Sequence, residues 1–85
     1  MFLAEVTEDD LNNFHNTISK NVRRIRKEKK LTQLDVSLAL GLSTPSFITN
    51  AESLNSKKRF NINQLYKLAI FFKVDISEFF KVEKL

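Results

Sequence analysis

Between Val36 and Ala51 this sequence holds no charged residue, although the chain carries 14 Lys and Arg. The interval carries hydroxyls and an amide instead: Ser43, Thr44, Ser46, Thr49 and Asn50, followed by the single acid Glu52. Such groups donate and accept hydrogen bonds without net charge, so they can read a pattern of donors and acceptors rather than hold an ion. A few residues on, the chemistry reverses. The stretch Asn55-Ser56-Lys57-Lys58-Arg59 concentrates cationic donors of the kind that clamp phosphate.

Catalytic and metal chemistry find little to work with. The chain has no Cys, which removes thiolate zinc sites and disulfides, and its one His, His15, has no obvious catalytic partner. Neither enzyme activity nor a metal or other cofactor is expected. Gly and Pro occur once each, against hairpins and glycine-rich phosphate loops, while eight Phe supply a large apolar payload for 85 residues. The expected fold class is all-α. No segment approaches the ~20 apolar residues that span a bilayer, and the start MFLAEVTEDD lacks the basic region of a signal peptide. A cytoplasmic protein with no membrane partner is the expectation.

The charge is divided along the chain. Glu5, Glu8, Asp9 and Asp10 fall within residues 1–17, which have no Lys or Arg, so an overall +4 leaves +8 on the remainder. A small body that basic attracts polyanions.

These residues must be positioned by helices. Thr7 followed by Glu8, Asp9 and Asp10 reads as an N-cap with acids in the first turn. Leu11, Phe14, Ile18, Val22 and Ile25 recur at three- and four-residue steps, predicting one long helix from about Glu8 to Lys29. Lys20, Arg23, Arg24, Lys27 and Lys30 lie opposite this stripe. Thr32, with Asp35 at the capping-box position, opens a second helix that Gly41 stops. Ser43-Thr44-Pro45 predicts a hydroxyl cap and Pro at the first position of a third helix ending near Ser53. Residues 54–60 form a basic loop. A fourth helix from Asn61 or Ile62 turns Ile62, Leu65, Ala69 and Phe72 inward, and Asp75 caps a short fifth helix through Phe80. Helix, short Gly-containing turn, helix is the spacing of a DNA-binding helix-turn-helix.

Residues 18–80, about three-quarters of the chain, resemble the phage repressor/Cro (XRE-like) family of helix-turn-helix regulators. The matching stretches are VRRIRKEKKLTQ (22–33), LGLS (40–43), ITNAE (48–52) and LYKLAIFFKVDISEFF (65–80). The resemblance implies a five-helix, repressor-like DNA-binding domain at 18–80, preceded by an acidic extension (1–17) that lengthens helix one and followed by a tail (81–85). It pairs Arg26 with Glu52, read here as a structural clamp, since a partly buried lone acid needs a partner. It also gives Gln33 a phosphate contact from the start of helix two. From Gly41 to Glu52 there is one residue more than the family spacing, so an extended turn is expected around Ser43–Pro45.

If helix three is the recognition helix, Ile48 and Ala51 face the core, while Thr44, Ser46, Thr49 and Asn50 are the expected base contacts. With no Arg or Lys among them, and with Asn suited to adenine and Thr methyls to thymine, the expected operator is palindromic, A/T-leaning double-stranded DNA. Gln33, Ser43, Asn55, Lys57, Lys58 and Arg59 are the expected phosphate contacts. Ile70, Phe71, Phe79 and Phe80 look too many for one small core and predict a homodimer interface, with Leu34 and Leu38 covered by Phe2 and Leu3. The resemblance then implies a nucleoid-associated repressor of bacterial or phage origin that acts by operator occupancy. The alternative is an antitoxin, a protein-interaction module whose DNA binding is secondary to holding a toxin partner.

Overall fold

The computed structural model describes residues 5–82. They form four α-helices, α1 (Glu8–Glu28), α2 (Gln33–Ala39), α3 (Ser46–Ala51) and α4 (Ile62–Phe72), and a closing 3₁₀ helix (Ile76–Phe80). The fifth α-helix expected from sequence is therefore not formed. Five residues between Asp75 and Lys81 complete a tight turn, and short segments of that kind close with 3₁₀ bonds.

Local chemistry sets three of the helix starts in the same way. Thr7 with Asp10, Thr32 with Asp35, and Asn61 with Gln64 each exchange side-chain and backbone hydrogen bonds as reciprocal capping boxes. The Thr32 backbone N–H on Asp35, reinforced by the Thr32 side chain, holds that carboxyl below its ordinary range. At the other ends, Lys30, Gly41 and Lys73 adopt left-handed backbone, and the following N–H reaches back to Arg26, Ser37 and Ala69 respectively. Only Gly41 meets that conformation without a Cβ penalty.

The core gathers Ile18, Val22 and Ile25 from α1, Val36 from α2 with Leu40 at its C-cap, Ile48 and Ala51 from α3, and Leu65, Leu68, Ala69 and Phe72 from α4. Phe60 and Phe79 complete it. Several sequence expectations need correcting here. Ile62 does not face inward: it sits in the first turn of α4 at 65% exposure, and Leu68 takes the core position instead. Phe60, expected in a polar loop, is buried edge-on to Phe47 at 5.7 Å between ring centroids. Nor is Phe79 surplus to the monomer. It is fully buried against Phe72, so the apolar excess reduces to Ile70 and Phe71, with Phe80 half covered by a stacked Phe14.

The predicted stripe of α1 splits in two. Ile18, Val22 and Ile25 enter the core, but Leu11 and Phe14 lie beyond it and stay exposed. Covering of Leu34 and Leu38 by Phe2 and Leu3 lies outside the described residues; both leucines are exposed. Polar anchors fasten the rest to α1. The buried Asn21 amide donates to the carbonyls of Phe79 and Lys81, both at 2.9 Å, and Ser19 donates to the Ala51 carbonyl at 2.6 Å.

Ser37, on the inner face of α2, is fully buried, and its hydroxyl has no hydrogen-bond partner among the described residues. A buried hydroxyl left unbonded is penalised, and Ala is the better helix former. Ser37→Ala should therefore raise unfolding stability by about 1 kcal/mol. Urea denaturation of the two proteins measures it; a clear loss would mean that the hydroxyl is satisfied.

Candidate nucleic-acid interface

The site is built around Glu52, which caps the C-terminal end of α3. Its carboxylate receives Arg26 Nε at 2.8 Å and Arg26 Nη2 at 2.9 Å, a two-pronged ion pair with Arg26 only 8% and Glu52 6% exposed. The remaining guanidinium nitrogen donates to the Leu31 carbonyl at 2.9 Å, tying the α1–α2 turn to the same point. Gln33, the first residue of α2, adds a third donor to Glu52 at 3.1 Å. Its amide oxygen accepts from the Thr49 hydroxyl at 2.7 Å. Four residues from three helices thus form one connected network.

That network and the core contacts of Ile48 and Ala51 orient α3. The helix has six residues, begins at Ser46, and has Pro45 at its N-cap with no side-chain hydrogen bond there. The expected hydroxyl cap from Ser43 or Thr44, with Pro45 inside the helix, is not what forms. Residues 43–45 make an open bend instead. Ser43, Thr44, Ser46, Thr49 and Asn50 are all exposed, whereas Phe47 is half-buried against the core.

The basic loop is fixed to α1 rather than loose. Asn55 takes left-handed backbone and is gripped by Asn16, whose amide donates to the Asn55 side-chain oxygen at 3.0 Å and whose oxygen accepts the Asn55 N–H at 2.8 Å. Arg59 donates to the Asn12 side chain. Lys57 and Lys58 are exposed and form no ion pair among the described residues. His15, one turn from Asn12, is held below its usual 6.5 first by burial and then by the neighbouring Arg59 cation.

An open groove of about 490 Å³ runs beside the network, with Lys20 and Arg23 of α1 on one wall and Thr49 and Ser53 on the other. Of the expected site residues, Arg26, Gln33, Thr49 and Glu52 are brought together, and Ser46 and Asn50 share the exposed side of α3. Asn55 and Arg59 reach the surface with their side chains already engaged. Sequence reasoning missed Asn12, Asn16, Ser19 and Asn21. All four lie on helix positions where a polar residue reads as solvated, and no local signal names their partners. The four-residue spacing of Asn12 and Asn16 is the one feature that could have drawn notice.

A short neutral helix, fixed to an all-helical body by a buried ion pair and bordered by cations, is an arrangement suited to a helix-turn-helix domain. The comparison with protein families agrees: the family model described as helix-turn-helix matches residues 22–79. The chain belongs to that family, the phage repressor/Cro, XRE-like class of DNA-binding transcriptional regulators. No curated protein and no solved structure matches the chain. Among the described residues, no helix is long and apolar enough to cross a membrane.

Removing one member of a buried pair strands the other charge, and the typical penalty is about 3–5 kcal/mol. Glu52→Ala should destabilise the DNA-free protein by an amount in that range. Gln33→Ala, which removes one donor from the carboxylate, should cost about 1–2 kcal/mol. Thermal and urea melts of both variants give the comparison, and a Glu52→Ala protein as stable as wild type would contradict the assignment.

Proposed function

We propose that the protein is a repressor that acts by occupying a palindromic, A/T-leaning operator as a homodimer. The observation that carries this is the division of charge around α3. The helix exposes only Ser46, Thr49 and Asn50, and the cations lie to its sides, on the Lys57–Lys58 loop and on Lys20 and Arg23 of the groove. Neutral side chains that hydrogen-bond in two directions suit base edges, while Lys and Arg suit phosphates, which supply affinity without sequence information.

In this mode Thr44, Ser46, Thr49 and Asn50 face the major groove. Ser43 and Gln33 hold phosphates near the start of the motif, and Asn55, Lys57, Lys58 and Arg59 hold them beyond α3. Because Asn16 and Asn12 already engage Asn55 and Arg59, those two chiefly shape the loop, and Lys57 and Lys58 provide its phosphate charge. Dimerisation uses the apolar side of α4. Ile62, Tyr66 and Ile70 follow one another at four-residue steps, all more than half exposed, with Phe71 beside them at 40%. Two copies joined there would serve two half-sites, about 34 Å apart in dimers of this motif. The absence of a guanine-reading Arg or Lys on α3 supports the preference for A·T pairs.

The roles separate in a binding assay. Asn50→Ala should weaken the preferred operator by about 1–3 kcal/mol and relax preference at one base pair. Lys57→Ala and Lys58→Ala should weaken every duplex alike and lower the log–log salt slope by up to about 0.9 per lost contact. Titrations against specific and scrambled duplexes at several salt concentrations decide between these patterns. Equal weakening on both duplexes by Asn50→Ala, with altered base preference in Lys57→Ala, would reverse the assignment.

A further inference from the structure

The network behind α3 has a direction, and the direction reaches the surface. Glu52, salt-bridged to Arg26, presents a carboxylate that can only accept hydrogen bonds. Gln33 must therefore turn its NH₂ toward Glu52, as it does at 3.1 Å, because the reverse orientation would press an amide oxygen against a carboxylate oxygen. Its carbonyl oxygen is left facing Thr49. Two oxygens at 2.7 Å need one hydrogen between them, and the amide oxygen has none to give, so the Thr49 hydroxyl donates.

A hydroxyl has a single hydrogen. With it committed inward, the exposed Thr49 oxygen offers only lone pairs to anything outside the protein. In the major groove, purine N7, guanine O6 and thymine O4 are themselves acceptors, and each would meet that oxygen lone pair to lone pair. Adenine N6 and cytosine N4 carry amino groups that can donate to it.

We propose that Thr49 is a polarity-fixed reader, selecting a base whose major-groove edge carries an amino group, adenine N6 or cytosine N4, over guanine or thymine in its place, with Gln33 as the residue that positions its hydroxyl. This rests on the DNA-binding mode proposed above and specifies what one of its contacts takes. The buried ion pair thereby does more than anchor α3: through Gln33 it determines which end of a hydrogen bond the recognition helix shows to DNA. The second N–H of the Gln33 amide stays available for a phosphate, so one side chain links backbone contact to base contact.

The test starts with selection of the preferred duplex from random DNA by the full chain, followed by location of the base pair whose preference Thr49→Val relaxes. At that position adenine is replaced by purine, or cytosine by pyrimidin-2-one, each lacking the amino group. Wild-type affinity should fall about threefold to tenfold on the analogue, while Thr49→Val binds parent and analogue alike. Whichever replacement produces the loss identifies the base. In Gln33→Met the hydroxyl is free to rotate, so discrimination against guanine at that position should shrink by a similar factor. Any lost phosphate contact weakens all duplexes together and cancels in the ratio. Should Gln33→Met fail to fold, the Thr49→Val and analogue measurements decide alone. Undiminished binding to the analogue at that pair, or a Thr49→Val protein that relaxes no position, would overturn the proposal. A chain that selects no duplex overturns the DNA-binding mode and this inference with it.

Discussion

A carboxylate and a guanidinium withdrawn together from water, Glu52 and Arg26, form the constraint on which the rest of the structure depends. Neither is stable alone at such burial, so the C-terminal end of α3 must lie against α1 wherever else the chain goes. The same guanidinium reaches the Leu31 carbonyl and the same carboxylate receives Gln33, so the turn into α2 and the first residue of α2 converge on one point. A six-residue helix without a side-chain cap has little stability of its own. Its place comes from Glu52, from the Ser19 bond to Ala51, and from burial of Ile48 and Ala51.

α1 is the common scaffold for both halves of the proposed interface. Its C-terminal half holds α3 through Arg26 and Ser19, and its N-terminal half holds the basic loop through Asn16 and Asn12. Buried charge at the centre and exposed charge at the edges leave α3 neutral on its outer face. Within the uncharged run 36–51, the exposed Ser46, Thr49 and Asn50 are thus the outward face of a helix whose electrostatic anchoring is internal.

Features decided within a few residues were legible in the sequence. Thr32 with Asp35, Asp75 as a cap and Gly41 as a stop depend only on neighbours within about one helical turn, and each forms as expected. Arg26 and Glu52 could be paired through the family resemblance, since nothing local connects residues 26 apart. What was not legible depends on distant packing. Ile62 fits an inward stripe as well as Leu68 does until the neighbouring helices are in place. Phe60 reads as the end of a basic loop until Phe47 meets its ring, and Phe79 as surplus until Phe72 and the Asn21 anchor enclose its turn. The direction of the Thr49 hydroxyl depends on three successive side chains from three helices, and no spacing rule contains it.

The central claim is that α3, held by the Arg26–Glu52 pair, is the surface presented to DNA, with the Lys57–Lys58 loop beside it. Titration of uniformly ¹⁵N-labelled protein with its selected duplex tests that claim most directly. The account predicts that the largest amide shift changes fall on Thr44–Asn50 and Asn55–Arg59, with α4 affected little at fixed oligomeric state. Changes concentrated on α4 and the 3₁₀ helix, with α3 unmoved at saturation, would contradict it.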